Sequence, residues 1–272
     1  MNFRPRSILI RVRNQASSIR MSLDEALLLR SMAKAACLPD RHVTNSYGRF
    51  LKGKRVALVG PAPTIEGSGQ ADHIESHDVI VRLNHALPVL PELQMDVGQR
   101  TDVLYHNLWR DHPKACPFPE LFDRLEREVQ WVCAVHPHLD LDHPYGRDID
   151  CFVEDLAGRV PFHVPGAIGS LKLHRKLCTR PNAGVCAIVD LLGFKLRSLY
   201  ITGFTFYEGS RNYHVGYVGN GTGDFHDQDR QRAFITRTIH RDPRVRVDEP
   251  LRKILEAPQS AHQRASKAEK NP

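Results

Sequence analysis

The chain has 272 residues, of which 41% are hydrophobic and 25% are charged, and this composition excludes a disordered protein. Its length suffices for one large α/β domain or two small ones. The formal charge of +7 favours an anionic partner, but no recognition-helix pattern and no basic run interleaved with aromatic residues indicates nucleic-acid binding. Because no stretch approaches about 18 apolar residues, the sequence predicts no membrane-spanning helix.

The basic excess lies partly at the two ends of the chain. Residues 1–21 are interpreted as a basic extension, residues 22–256 as a single domain and residues 257–272 as a disordered tail. The basic ends could hold the protein against an anionic membrane surface. The six cysteines include no C-x-x-C pair, which is typical of reduced thiols, so we expect a cytoplasmic protein.

Buried strands alternate with helices along the chain, after a first helix predicted over 22–37. Strands are expected over 53–60, 78–84, 101–107, 130–135, 198–204 and 244–250. Further helices are expected over 119–129, 170–177, 181–194 and 226–240. This alternation predicts an α/β fold with a Rossmann-like, mainly parallel sheet and helices on both faces. In such sheets, ligands bind beyond the carboxyl ends of the strands.

Polar residues follow the first two strands at this edge. The second strand, in "DVIVRLNHA" (78–86), ends in Arg82, Asn84 and His85. The first ends at Gly60 and continues into the Gly- and Pro-rich loop 61–70, whose N–H groups could hold a phosphate. The loop is neither a Walker loop nor a clean G-x-G-x-x-G, and a plain strand-to-helix turn would explain it equally well.

Two later segments could also carry chemistry. A helix that starts at Pro181 among small residues leaves its amino end open to an anion, although an ordinary helix start has the same pattern. His214 and His226 flank a Gly-rich stretch and could form a lid that supplies an acid or base. The alternative is that His226 only flanks the cap of its helix.

A third segment, "HPHLDLDH" (136–143), contains five residues of types that bind divalent metal ions. Prolines interrupt it and no regular framework supports it. We therefore interpret it as a solvated loop and predict no metal site.

Taken in this order, the segments resemble glycosyltransferase family 29, the eukaryotic-type sialyltransferases, and the chain looks like a distant microbial member. The long motif of that family is matched over 56–102, most closely at "SHDVIVRLNHA" and "DVGQRTD". The short motif is matched over 181–204, by "PNAGVCAIVDLLGFKLRSLYITGF". The third and fourth motifs are matched loosely, at "NYHVGY" and "HDQDRQ".

The resemblance implies a GT-A-like variant fold and inverting transfer of a sugar from a CMP-sugar donor to a glycan hydroxyl, with neither a metal nor another cofactor. Asn84 would hydrogen-bond the nucleotide, His214 would stabilise the departing phosphate, and His226 would deprotonate the acceptor. The helix amino end, at Asn182, Ala183 and Gly184, would hold the donor. The other expected donor-binding residues are Gly60, Ser68, Arg82 and Tyr213, although Arg82 could instead brace the site through a carboxylate.

Three departures from the family pattern leave alternatives open. Pro61 stands where the pattern has asparagine, and Gln231 stands where it has an acidic residue. Val56 replaces a cysteine, so the disulfide of the pattern is expected to be absent. The donor sugar therefore stays open between sialic acid and a related sugar such as Kdo. A transferase using another nucleotide sugar, or a non-catalytic nucleotide- or glycan-binding module, remains an alternative.

Overall fold

The computed structural model describes residues 44–107, 128–135, 160–179, 181–206, 214 and 227–257. Among these residues, seven strands form one sheet in which every neighbouring pair is parallel. The strands are β1 (Arg55–Val59), β2 (Val79–Leu83), β3 (Val103–His106), β4 (Trp131–Ala134), β5 (Phe162–His163), β6 (Ser198–Thr202) and β7 (Val245–Val247).

Seven α-helices accompany the sheet in the described part of the chain. They are α1 (Thr44–Leu51), α2 (Ala71–Glu75), α3 (Gln94–Val97), α4 (Ala167–Leu177), α5 (Ala183–Leu192), α6 (Gln228–Arg241) and α7 (Glu249–Glu256). Short 3-10 turns follow β1 and β2, at Pro63–Ile65 and Asn84–Ala86, and a third precedes α3 at Pro91–Leu93.

Successive residues of the central strands enter two hydrophobic cores, because side chains alternate between the faces of a sheet. Val56 and Leu58 of β1 join the larger core, which includes apolar residues of α1, α4, α5, α6 and α7. Ala57 and Val59 join the smaller core with residues of α2 and α3. Burial on both faces explains why these strands are almost uniformly apolar.

The strand order, β5-β4-β3-β2-β1-β6-β7, fixes where the chain reverses its direction of travel across the sheet. From β1 the chain moves outward strand by strand to β5. It then returns to place β6 on the opposite side of β1. In sheets of this kind the point of reversal opens a crevice at the carboxyl edge, here between β1 and β6.

The predicted fold class is confirmed: the structure is an α/β sheet, parallel throughout the described strands, with helices on both faces. Several boundaries need correction. Helix α4 begins at Ala167, α5 begins after an N-cap at Asn182 and not at Pro181, and α6 begins at Gln228, after an N-cap at Asp227. The sequence analysis missed β5 and the helices α1, α2, α3 and α7.

Other predictions fall on residues outside the described ranges. The helices expected over 22–37 and over most of 119–129, the segment 136–143 and the terminal extensions lie there. In the described ranges no helix is long and apolar enough to cross a membrane, and no group of three or more metal-binding side chains occurs. Cys133, Cys178 and Cys186 are free thiols.

A polar cluster is buried in the larger core, beneath α5. The Asp190 carboxylate of α5 accepts a hydrogen bond from the Tyr105 hydroxyl at 2.6 Å, and His163 Nε2 lies 2.9 Å from the same oxygen. The Tyr47 ring stacks on the His163 ring with centroids 4.5 Å apart. Burial raises the pKa of Tyr47 and of Tyr105 well above the usual value, and Asp190 adds to both effects.

We expect Tyr47, Tyr105 and Tyr200 to ionise only at an unusually high pH in the folded protein. Burial, followed by the nearby Asp248 carboxylate, raises the pKa of Tyr200 to about 12, so its neutral form is favoured by folding. Because the folded pKa values lie above the unfolded value, this stabilisation is complete below about pH 10 and is lost as the pH rises further. Absorbance at 295 nm should show that three of the seven tyrosines do not ionise near pH 10 in the native protein but do in urea. One native transition near pH 10 for all seven would contradict the buried cluster.

Candidate active site

Two glycines let the carboxyl ends of β1 and β6 approach each other. The Gly60 N–H donates to the Thr202 carbonyl at 2.8 Å, and the Ala62 N–H donates to the Gly203 carbonyl at 3.0 Å. A Cβ on either Gly60 or Gly203 would overlap the carbonyl oxygen of the other, and Gly203 has a φ of +73°. Gly60, predicted as a donor-binding residue, therefore has a structural role at the floor of the crevice.

Phe204 connects this floor to the start of α5. A Cβ at Gly60 would lie 2.9 Å from the Phe204 ring, and a Cβ at Gly184 would overlap the same ring. The absence of side chains at Gly60 and Gly184 thus allows Phe204 to pack between them. As a result, the first turn of α5 is held beside the carboxyl ends of β1 and β6.

His214, from a segment far along the chain, lies at the same place. Its N–H donates to the Pro61 carbonyl at 2.8 Å, and its side chain is buried, with 7% exposed. Its Nε2 lies 3.5 Å from a carboxylate oxygen of Glu66, whose side chain is 71% exposed. The structure thus brings together the loop after β1 and His214.

Asn84 leaves the sheet next to Pro61. Strands β1 and β2 pair Val59 with Arg82, so Pro61 and Asn84 each follow two residues later. The Asn84 backbone has a φ of +46°, which asparagine tolerates better than most residues. Its Oδ1 accepts the Asn107 N–H at 2.8 Å, and this contact leaves the NH2 group as the donor that a ligand could use.

The first turn of α5 is partly capped by the protein itself. The Asn182 Oδ1 accepts the Val185 N–H at 2.8 Å, and the Asn182 N–H donates to the Gln231 side chain at 2.8 Å. The N–H groups of Ala183 and Gly184 precede the first intrahelical bonds. Asn182 therefore shapes the helix end, while Ala183 and Gly184 present the N–H groups that an anion could accept.

The Gly-rich loop already holds an anionic group, because the Asp96 carboxylate occupies it. The two carboxylate oxygens of Asp96 accept the Gly67 N–H at 2.9 Å and the Gly69 N–H at 2.8 Å. The Ser68 hydroxyl and the Gln70 N–H both donate to the Asp96 main-chain carbonyl. The idea that these loop amides hold a phosphate is therefore corrected, and Ser68 takes part in the contact that closes the loop.

Arg82 lies beneath the site and is fully buried. Its Nη2 donates to the Val97 carbonyl at 2.8 Å, and its Nε donates to the Thr101 hydroxyl at 3.1 Å. The guanidinium also donates to the carbonyls of Gly98 and Arg100. Arg82 thus braces the "DVGQRT" segment through carbonyls and a hydroxyl.

A chain of hydrogen bonds supports the floor of the crevice from the C-terminal side. Tyr200 donates to the side chain of Gln70, and the Thr202 hydroxyl donates to Asp248 at 2.5 Å. The other carboxylate oxygen of Asp248 accepts the Leu251 N–H at 2.9 Å and caps α7. The sequence analysis missed Asp248, although Asp248 followed by Glu249 and Pro250 is a typical helix start.

The described residues therefore bring together Gly60, Asn84, His214 and the start of α5, whereas Ser68 and Arg82 make internal contacts. His226 and Tyr213, and with them the expected general base, lie outside the described ranges. The sequence analysis gave no role to three residues that shape the site: Asp96, Asn107 and Phe204. Asp96 lies in the recognised motif "DVGQRTD", but nothing local to that motif indicates its contact with Gly67 and Gly69.

A model of glycosyltransferase family 29, the sialyltransferases, matches residues 28–136. Over this segment the chain is similar to glycosyltransferase family 29. The matched segment includes β1, β2 and β3, the glycine-rich loop 61–70 and Asp96, which contacts that loop. The chain is accordingly a glycosyltransferase of the sialyltransferase type. No curated protein matches the sequence significantly.

Solved structures of sialyltransferases are similar to this chain. A mammalian sialyltransferase in complex with Gal-β-1,3-GalNAc-ortho-nitrophenol has a TM-score of 0.52 and 16% identity, over 82% of this chain and 78% of that one. Another mammalian sialyltransferase structure has a TM-score of 0.49 and 19% identity, over 74% and 71%. The sialyltransferase CstII from Campylobacter jejuni, in complex with the substrate analogue CMP-3FNeuAc, has a TM-score of 0.41 and 14% identity, over 63% and 66%. The first of these similarities shows a shared fold.

The Asp96 contact predicts a large loss of stability on Asp96→Ala. Two N–H groups would lose a charged acceptor, and hydrogen bonds to charged groups contribute about 1.5–3 kcal/mol each. We expect the free energy of unfolding, measured by urea denaturation, to fall by about 3 kcal/mol. Glu92→Ala, which removes an exposed carboxylate in the 3-10 turn before α3, should change it by less than about 0.5 kcal/mol. Equal effects of the two substitutions would contradict the role given to Asp96.

Proposed function

We propose that the chain transfers sialic acid, or a related sugar such as Kdo, from a CMP-sugar donor to a glycan hydroxyl, with inversion at the anomeric carbon. One observation carries the proposal: the end of β1, His214 and the first turn of α5 converge at the carboxyl ends of β1 and β6. That edge is where parallel sheets of this topology bind nucleotides. The match to the sialyltransferase family supports the choice of donor.

The donor side of the proposed site consists of hydrogen-bond donors and one imidazole. The Asn84 NH2 group would contact the nucleotide, since its Oδ1 is already held by Asn107. The N–H groups of Ala183 and Gly184 would face the phosphate, with His214 on the other side of it. These groups suit an anionic ligand, because oriented N–H groups and an imidazolium stabilise negative charge in a water-poor cleft.

The same groups would assist the chemical step. As the bond to the sugar breaks, the sugar acquires oxocarbenium character and the departing CMP gains negative charge. A protonated His214 and the α5 N–H groups would stabilise that charge, so the proposed step needs no metal ion. His226, the residue before Asp227, would take the proton from the acceptor hydroxyl on the opposite face of the sugar. Attack on that face inverts the anomeric centre.

Nucleotide binding is the first test of the donor class. CMP should raise the melting temperature of the protein, while UDP, GDP and NAD at the same concentration should not. A ligand at a hundredfold excess over its Kd stabilises the folded state by about 2.7 kcal/mol, which is easily measured. Asn84→Ala should reduce the shift. A shift with UDP or GDP alone would instead support another nucleotide sugar, and Pro61 would be the first residue to examine.

The chemical step is tested with His226→Ala. Radiolabelled CMP-sialic acid and CMP-Kdo would be assayed against a glycan panel that includes Gal-β-1,3-GalNAc. The variant should lose transfer by at least about a hundredfold and keep its affinity for CMP, because general base catalysis typically contributes about 10²–10⁴-fold. His240→Ala, an exposed histidine on α6, is the control and should retain activity. A wild-type protein that binds CMP but transfers to no acceptor would support the binding-module alternative.

A further inference from the structure

Gln231 connects α6 to the proposed donor site through a buried contact. It lies in the first turn of α6, its side chain has no exposed surface, and its Oε1 accepts the Asn182 N–H at 2.8 Å. The two residues are 49 positions apart in the sequence. A buried N–H that loses its acceptor is costly, so this contact constrains the backbone of Asn182.

By fixing the backbone of Asn182, this contact also fixes the first turn of α5. The Asn182 N–H is held by Gln231, while the Asn182 Oδ1 caps the helix through the Val185 N–H. Between these two anchors lie Ala183 and Gly184, whose N–H groups would face the phosphate of the donor. The orientation of these N–H groups therefore depends on the acceptor oxygen of Gln231.

Further contacts join the start of α6 to the segment before α5. The Asp227 N–H donates to the Thr179 hydroxyl at 3.4 Å, and the Arg230 guanidinium donates to the Leu177 carbonyl at 3.2 Å. Asp227 is the N-cap of α6 and follows His226 in the sequence. Of these three contacts, the one made by Gln231 is shorter than the other two and fully buried.

We propose that Gln231 is a positioning residue that sets the donor-binding turn of α5 relative to the start of α6. The inference rests on the proposed function, since it assigns this turn to the donor. The contact needs an acceptor oxygen and no charge. Glutamate has the same length as glutamine and the same acceptor, so Gln231→Glu should preserve the contact, whereas Gln231→Leu removes it.

Four variants test the proposal: Gln231→Leu, Gln231→Glu, Gln228→Leu and Leu255→Ala. Gln228 lies on the same helix and is only half-buried, so its substitution controls for the change of residue type. Leu255 is a buried residue of α7 in the larger core, and its substitution controls for a general loss of stability. The measurements are CMP affinity, the kcat and KM of transfer well below the melting temperature, and amide exchange over 181–186.

Gln231→Leu should weaken CMP binding by about tenfold, because one fixed hydrogen bond near the ligand is lost. It should also lower kcat by at least about tenfold, since misplacement of reacting groups by about 1 Å costs up to a hundredfold. Gln231→Glu should stay within about threefold of wild type on both constants. Gln228→Leu and Leu255→Ala should leave both constants unchanged, because neither substitution removes the Asn182 contact.

Two results would overturn the proposal. In one, Gln231→Leu behaves like Leu255→Ala, losing stability while keeping both constants. In the other, Gln231→Glu fails as completely as Gln231→Leu. Amide exchange separates these results from a failure of the proposed function. If the wild-type protein binds no CMP, the donor assignment is wrong. Amide exchange still tests the contact in that case, because the contact holds the turn only if residues 181–186 exchange faster in Gln231→Leu than in the other variants.

Discussion

The carboxyl ends of β1 and β6 can lie side by side only because neither Gly60 nor Gly203 carries a side chain. Main-chain hydrogen bonds between the two ends continue beyond the strands, from Gly60 to Thr202 and from Ala62 to Gly203. This continuity determines how narrow the crevice is at its floor. The direction in which Pro61 leaves the sheet, and so the carbonyl that holds His214, follows from it.

Around this floor the polar groups divide into two sets. One set forms its hydrogen bonds within the protein. Asp96 accepts from the glycine loop, Glu75 accepts from the N–H groups of Gln99 and Arg100, and Arg82 donates to main-chain carbonyls. The other set, at Asn84 and at the start of α5, consists of the donors that are proposed to bind the ligand. The satisfied set comes mainly from the long motif. Much of that motif therefore maintains the shape of the site, and fewer of its residues are left to contact a ligand.

Sequence reasoning found the sheet because buried strands and helices alternate with clear spacing, as in "RVALV" and "SLYIT". It placed Gly60 and Asn84 at one edge, since strand direction suffices for that, while His214 and the start of α5 were added through the family resemblance. It could not assign Asp96, because the nearest glycine that it caps is 27 residues away and no local pattern reveals the contact. Arg82 shows the same limit, since a cation at a strand end is equally typical of a ligand contact.

The departure at position 231 illustrates why a substitution is best judged by its contacts. Glutamine at this position differs from an acidic residue in charge but offers the same acceptor oxygen to Asn182. Pro61 is a different case: it cannot offer an amide, yet its carbonyl anchors His214. Both residues thus take part in the structure that surrounds the crevice.

Asp96 gives the glycine loop an anionic partner that belongs to the protein itself. In many nucleotide-binding proteins such a loop closes only around the phosphate, and part of the binding free energy is spent on ordering it. Here the ordering is completed during folding, when Asp96 docks. Occupancy of the crevice should therefore leave residues 66–70 as protected from solvent exchange as they are in the empty protein. Ligand affinity would depend on the mobility of other segments, and not on this loop.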